Sequence, residues 1–183
     1  MNVLAICGSL RTGSSNAALL RATAGLAPEG MVITLYEGLA ALPHFNPDLD
    51  LEGAIAPAAV ADLRARLATS DGVIISSPEY AHGVPGSLKN ALDWIVSSDD
   101  FSGKPVILIN ASPSGGQHAQ ASLMETLRMM NARVLVDASL LAPFARKKLN
   151  PDGKISDPEL ARALRASLEA LAVAGTHPGE PTR

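Results

Sequence analysis

The sequence contains a single cysteine, Cys7, and few aromatic residues: three Phe, two Tyr and one Trp among 183 residues. One cysteine excludes an internal disulfide framework and a zinc site of clustered thiolates, so a reducing, cytoplasmic setting is expected. The chain also lacks an apolar run approaching the ~20 residues that a membrane-spanning helix needs. The apolar run at residues 3–7 has no basic segment before it and no cleavage site after it, which predicts a strand rather than a signal peptide.

Charge is scarce and nearly balanced. Lys and Arg together number 15 and Asp and Glu 18, which gives a net charge of −3. The longest basic run, residues 146–148, is too short to form a binding surface for nucleic acid or an anionic membrane. We therefore expect neither nucleic acid nor a membrane as a partner.

Short apolar runs alternate with longer segments of helical periodicity. The predicted strands are 3–7, 31–36, 72–77, 105–110 and 133–136, and the predicted helices are 16–26, 58–69, 86–97, 119–131 and 157–174. This alternation predicts an α/β fold, a parallel sheet with helices on both faces. Because neither a linker nor a repeat is visible, one domain is expected over residues 1–175, followed by a disordered tail at 176–183.

Polar loops follow the first, third and fourth predicted strands, at the sheet edge where α/β folds bind ligands. The first loop, residues 8–16, enters a helix, and a helix N-terminus attracts anions. The side chains that can add to this attraction are those of Ser9, Arg11, Ser14, Ser15 and Asn16. Ser14 stands where a P-loop needs lysine, so ATP chemistry is not predicted. The loop favours a monophosphate site, with an ordinary helix cap as the alternative.

The second loop, residues 77–86, is shaped by Pro78 and Pro85 and carries the flat ring of Tyr80. The third, residues 111–118, consists of small residues with two glycines, which lets a planar ligand approach the backbone. Taken singly, Tyr80 fits ordinary packing and the third loop fits a simple turn. Three glycine-bearing loops at one edge favour a common site for a phosphorylated, planar cofactor such as a flavin.

Other side chains are less specific. His82 and His118 could line an acceptor pocket and help to deliver protons, although solvated loop histidines are the commoner case. Cys7, at a strand end, is most simply a small buried side chain. Trp94 is expected in the core or in a subunit contact rather than as a cofactor wall.

Together these loops resemble the NADPH-dependent FMN reductase family, which includes quinone and chromate reductases. The similarity runs from Met1 to about Leu171. It is most specific in Pro78-Glu-Tyr followed by Val84-Pro-Gly-Ser-Leu-Lys-Asn-Ala-Leu-Asp-Trp94, which looks like the family's flavin-ring motif. Residues 8–16 look like its phosphate loop, and residues 112–116 like its third flavin-contacting loop. The resemblance implies a flavodoxin-like fold, with a five-stranded parallel sheet in the order 2-1-3-4-5.

The resemblance also implies which residues bind FMN. The phosphate would be held by Ser9, Arg11, Ser15, Asn16 and Ala17, and the ring bordered by Pro78, Glu79, Tyr80, Ala81, His82, Gly83, Ser112, Gly115 and Gly116. No catalytic side chain and no metal is expected, because the flavin carries the chemistry. Relatives often have Asn where this chain has Ala81, so any contact made by that amide side chain is lost here.

The implied activity is that of an FMN-dependent oxidoreductase, in which a hydride from NADPH or NADH passes through bound FMN to a small acceptor. Quinones, free flavins, azo compounds and chromate are all possible acceptors. A homodimer or homotetramer is implied, with the helix from Leu88 to Trp94 as the expected interface. One alternative is a flavodoxin-type electron carrier, which the small negative charge and few aromatics fit poorly. Another is a sensor or interaction protein that kept the fold without the flavin.

Overall fold

Strands and helices alternate along the chain in a computed structural model that describes residues 1–113 and 115–176. The strands are β1 (Asn2–Cys7), β2 (Val32–Tyr36), β3 (Gly72–Ser76), β4 (Pro105–Asn110), β5 (Arg133–Val134) and β6 (Leu140–Leu141). The helices are α1 (Ser15–Ala24), α2 (Ala58–Ala68), α3 (Gly86–Asp93), α4 (Gln117–Met129) and α5 (Pro158–Thr176). Thr176, predicted to begin the tail, ends α5 instead, and residues 177–183 lie outside the described part.

The strands form one parallel sheet in the order β2-β1-β3-β4-β5, which confirms the predicted topology. Ile6 of β1 lies between Tyr36 of β2 and Ile75 of β3 in the register. The chain leaves β1 toward one side of the sheet and returns to its other side for β3. The loops after β1 and β3 therefore flank the point where the strand order reverses, which is the usual ligand site of such sheets.

Helices cover both faces of the sheet, so its central strands are apolar throughout. In β1, Leu4 and Ile6 pack in one layer with α2, α3 and α4, while Val3 and Ala5 pack in the other with α1 and α5. This division follows from the two-residue period of a strand. Every residue of β3 and β4 is buried, as expected for parallel strands covered on both sides.

The fifth position of the sheet is shared by two short strands, whereas the sequence predicted one strand over 133–136. β5 ends at Val134, a 3-10 turn follows at Val136–Ala138, and β6 then pairs with the end of β4. At the interruption, the Ser139 hydroxyl accepts a hydrogen bond from the N–H of Leu108 at 3.0 Å. That side chain satisfies a ladder donor that a continuous strand would have satisfied with its backbone.

Helix α3 ends at Asp93, four residues before its predicted end. The carbonyl of Trp94 accepts from the guanidinium of Arg64, and the chain continues in tighter turns, with Ser98 N–H donating to Ile95. Trp94 is fully buried, and its Nε1 donates to the carbonyl of Pro43 at 2.8 Å. Leu88 and Trp94 therefore belong to the chain's own core and supply no apolar surface for the expected subunit interface.

No helix in the described part of the chain combines the length and apolarity needed to cross a membrane.

Candidate active site

A cleft of about 190 Å³ opens at the carboxyl edge of the sheet, beside the ends of β1, β3 and β4. Three loops supply its walls. The lining residues are Ser9, Arg11, Ser14, Ser15 and Asn16 from the first loop, Pro78, Glu79 and Tyr80 from the second, and Ala111, Ser112 and Pro113 from the third. The three loops singled out in the sequence thus meet in one place.

One wall of the cleft is the N-terminus of α1. Ser14 is the N-cap residue, and its hydroxyl accepts from the N–H of Ala17 at 3.2 Å. By helix geometry, the N–H groups of Ser15 and Asn16 cannot reach a carbonyl of their own helix and stay available. The first turn of α1, all of it described, has no acidic side chain. The exposed Arg11 adds a positive charge to the helix N-terminus, so this end of the cleft suits an anion.

Asn16 holds the three loops together. Its side chain is buried, and Oδ1 accepts hydrogen bonds from the Ser76 hydroxyl and from the N–H of Ala111, each at 2.9 Å. These bonds join the start of α1 to the ends of β3 and β4. The side-chain oxygen of Asn16 is therefore used inside the protein, and its backbone N–H is the group that an anion could meet.

The opposite wall is made by the second and third loops. The hydroxyl of Ser112 accepts from the N–H of Glu79 at 3.3 Å, and the N–H of Ser112 donates to Asn110 Oδ1 at 2.7 Å. Pro78 is buried, whereas Tyr80 is about half exposed, and both line the cleft. The wall presents prolines, backbone and one aromatic ring, which is the surface a flat ring system packs against.

Gly116 shows how tightly the third loop is packed. Its φ is +69°, and a Cβ at this position would overlap the side-chain amide of Asn110. Only glycine satisfies both the left-handed angle and the close approach. The predicted role of Gly116 beside the flavin ring stays a prediction, since its visible function is to let Asn110 reach Ser112.

The second loop ends in a tight two-residue turn. Tyr80 and Gly83 exchange backbone hydrogen bonds of 3.1 and 2.9 Å, and between them Ala81 and His82 have φ angles of 49° and 59°. The His82 ring stacks on that of His118, with centroids 4.2 Å apart and planes 20° from parallel. Stacking fastens the turn to the start of α4, and both histidines are exposed.

The side chain of Glu79 reaches the start of α4. Its carboxylate accepts from the N–H groups of Ala119 and His118, at 3.0 and 2.9 Å. The hydrogen bond from Ala119 lowers the pKa of Glu79 most, helped by that from His118 and by the charges of His118 and His82, against a smaller opposing effect of desolvation. Glu79 therefore caps a helix, a role that the sequence analysis did not assign.

Most of the predicted cofactor-binding residues line the cleft. Among the described residues, those predicted but absent from its lining are Ala17, Ala81, His82, Gly83, Gly115 and Gly116. The prediction missed Ala111 and Pro113, which flank the predicted Ser112 and could have been included for that reason. Cys7, expected to be buried, is partly exposed, with Sγ 3.9 Å from the Ser14 hydroxyl.

The donor set of the cleft fits a flavin mononucleotide. Hydroxyls, free helix N–H groups and a guanidinium at one end suit a phosphate, and flat apolar surfaces at the other end suit an isoalloxazine. Among the described residues, no group of three or more His, Cys, Asp or Glu side chains is placed to hold a metal ion.

The amino-acid sequence matches a family model and several characterised reductases. A family model described as NADPH-dependent FMN reductase matches residues 1–147. The chain is 33% identical over 175 residues to an NAD(P)H-dependent FMN reductase of Pseudomonas aeruginosa, with 93% of each chain covered. It is 32% identical over 176 residues to a quinone reductase of Escherichia coli K12, again with 93% of each chain covered.

A solved structure has the same architecture. The flavoenzyme NAD(P)H:(acceptor) oxidoreductase FerB from Paracoccus denitrificans matches with a TM-score of 0.84 and 29% identity. The match covers 96% of this chain and 97% of that one.

Proposed function

Because this chain belongs to the NADPH-dependent FMN reductase family, we propose that its cleft binds FMN and that the enzyme uses NAD(P)H to reduce a quinone. The observation that carries the proposal is the meeting of an anion-binding helix N-terminus with a flat, partly apolar wall in one cleft. When bound, FMN supplies two-electron transfer between nicotinamide and acceptor. The protein binds and orients the reactants around it.

The phosphate end is formed by the first loop. The hydroxyls of Ser9 and Ser15, the first-turn N–H groups of α1 and the guanidinium of Arg11 are the groups that donate to the phosphate. The Ser14 hydroxyl accepts from the N–H of Ala17 and lies 3.9 Å from Cys7 Sγ, and it can donate its own proton to the phosphate instead of to the sulfur. Since no acidic side chain lies in the fully described first turn, the phosphate meets no opposing charge there.

The ring end is formed by Pro78, Tyr80 and Pro113, with Ser112 holding the second and third loops together. The cleft volume of about 190 Å³ is below the ~300–1,000 Å³ of pockets that enclose their ligands. A cleft of this size would leave one face of a bound flat ring open. Nicotinamide and quinone would use that face in turn. The stacked and exposed His82 and His118 belong to the turn that follows Tyr80 and to the start of α4.

The proposal is tested on FMN-loaded, desalted protein without oxygen. We expect the flavin to be retained, its visible absorbance to be lost on adding NADPH or NADH, and the absorbance to return when a quinone follows. The faster nucleotide identifies the donor. Retained flavin that responds to neither nucleotide would indicate an electron carrier, and absence of retained flavin would refute the proposal.

The phosphate assignment is tested with Ser15→Asp, which puts a carboxylate into the first turn of α1. An acidic residue suits a helix N-terminus, so folding should be preserved. Repulsion at short range should weaken FMN binding by at least about tenfold and leave riboflavin unaffected. The matched control is Ser122→Asp, at an exposed position of α4. Equal FMN affinity in the two variants would contradict the assignment.

We further propose a homodimer or homotetramer in a cytoplasmic setting. The free thiol of Cys7 is in keeping with a reducing compartment. Leu51 and Val96 are about two-thirds exposed, and each adjoins in sequence one member of the hydrogen-bonded pair Asp50 and Ser97. Exposed apolar side chains that lie close together are typical of interaction surfaces. Light scattering that gives a monomeric mass at micromolar concentration would contradict self-association.

A further inference from the structure

Residues 142–148 run from the end of β6 back to α1. The N–H of Ala142 donates to the carbonyl of Asn110 at 2.7 Å, and the N–H of Ala145 donates to that of Ala142 at 3.1 Å. Ala145 is fully buried in the same apolar layer as Leu19 and Leu20 of α1. These contacts fix the 3-10 turn Ala145–Lys148 against the helix that begins at the cleft.

Arg146 extends from this turn to the first loop. Its Nη1 donates to the carbonyl oxygen of Gly13 at 2.7 Å, although 133 positions separate the two residues. The N–H of Ser14 donates to the carbonyl of Arg11 at 3.0 Å. The Gly13 carbonyl and the Ser14 N–H belong to one planar peptide group. Because both of its polar groups are hydrogen-bonded, the orientation of this peptide group is restrained.

The orientation of this peptide matters because Ser14 is the N-cap of α1. The plane sets the direction in which the chain enters the helix, and with it the direction of the N–H groups of Ser15 and Asn16. Arg146 also brings a permanent positive charge close to the helix N-terminus. Its guanidinium has five N–H donors, and the Gly13 carbonyl needs one.

We propose that Arg146 is a positioning residue for the phosphate of FMN. It holds the Gly13–Ser14 peptide so that the first-turn amides of α1 point at the anion, and it adds positive charge behind them. The inference rests on the proposed function, in which residues 9–16 bind the phosphate. It follows that Arg146 affects the binding of FMN and not that of riboflavin, which lacks the phosphate.

The test compares Arg146→Met and Arg146→Lys by titrating apoprotein with FMN and with riboflavin, following quenching of flavin fluorescence. Arg146→Met should weaken FMN binding about tenfold and change riboflavin binding less than about twofold, because only FMN carries the charge that Arg146 attracts. Arg146→Lys should have an intermediate FMN affinity, since it keeps the positive charge and loses the planar guanidinium group. The matched control is Lys147→Ala, on the same exposed turn. The Lys147 ammonium lies 5.4 Å from the centre of the Phe144 ring. This variant should bind FMN and riboflavin like the wild type.

A ligand-free measurement separates this inference from the proposed function. In apoprotein, Arg146→Met should accelerate hydrogen exchange of the Ser14 amide at least about threefold, because its peptide loses one of its two restraints. Unchanged exchange, unchanged FMN affinity, or equal loss of FMN and riboflavin would each overturn the role of Arg146. Wild-type protein that binds no FMN would instead refute the proposed function, while the exchange result would still report on the loop.

Discussion

At the scale of single residues, Ala81 shows what a backbone angle demands of a side chain. With Tyr80 and Gly83 closing a two-residue turn, both Ala81 and His82 adopt left-handed angles. A non-glycine residue in this region is disfavoured by roughly 1–2 kcal/mol, and Asn tolerates it better than Ala does. An Asn at this position would be favoured by the turn itself, without a contact to the cofactor.

Ala81→Asn should raise the free energy of unfolding by about 0.5–1 kcal/mol, because Asn relieves the strained angle. It should change FMN affinity less than about twofold, because Ala81 is exposed and does not line the cleft. Urea denaturation and flavin titration measure the two quantities. Ala81→Gly should also stabilise the protein, and Ala81→Val should destabilise it. A large gain in FMN affinity with no gain in stability would show that Asn acts on the cofactor instead.

At the scale of elements, α4 depends on a residue of the second loop. The helix follows Gly116, which has no side chain to cap it, and the carboxylate of Glu79 binds the N–H groups of His118 and Ala119 in its place. Ser112 ties the backbone of Glu79 to the third loop. The cleft wall and the start of α4 are therefore one connected unit.

Glu79→Gln should make the protein less stable at neutral pH, because a neutral amide binds a helix N-terminus more weakly than a carboxylate does. The pKa of Glu79 is lowered by folding, so the stabilising effect is complete above the ordinary pKa of glutamate and is lost as the pH falls from that value through the lowered pKa. Unfolding free energies of wild type and variant should converge there. Glu52→Gln, in an exposed loop, is the control and should match the wild type throughout. A difference that persists in acid would contradict the charge argument.

At the scale of the whole molecule, the two apolar layers share the same strands. Leu4 and Ile6 face one layer, and Val3 and Ala5 face the other. Because both layers are built on the same strands, neither can stay packed when the sheet unfolds. We therefore propose that residues 1–175 unfold as a single domain.

Thermal unfolding should accordingly show one transition. FMN should raise the midpoint temperature of that single transition. At a hundredfold excess over its dissociation constant, a ligand adds about 2.7 kcal/mol, which in a domain of this size raises Tm by roughly 5–10 °C. Differential scanning calorimetry with FMN, and with riboflavin at equal concentration as control, measures the shift. Two transitions, or a shift in one of them, would contradict the single-domain proposal.

The sequence by itself determined the alternation of strands and helices, their burial on both faces, and the edge at which the three loops meet. These features depend on local patterns, because an apolar run such as residues 105–110 is recognisable without its partners. Family resemblance added the strand order and the cofactor, which the fold and the comparisons confirmed.

The tertiary structure alone decided the side-chain partnerships around the cleft. Glu79 meets α4 across 39 positions and Arg146 meets Gly13 across 133, and no local pattern records either pairing. The same is true of the divided fifth strand, where Ser139 replaces a backbone partner of Leu108. Each of these contacts satisfies a polar group whose partner is far away in the chain, so it exists only once the sheet has brought the loops together.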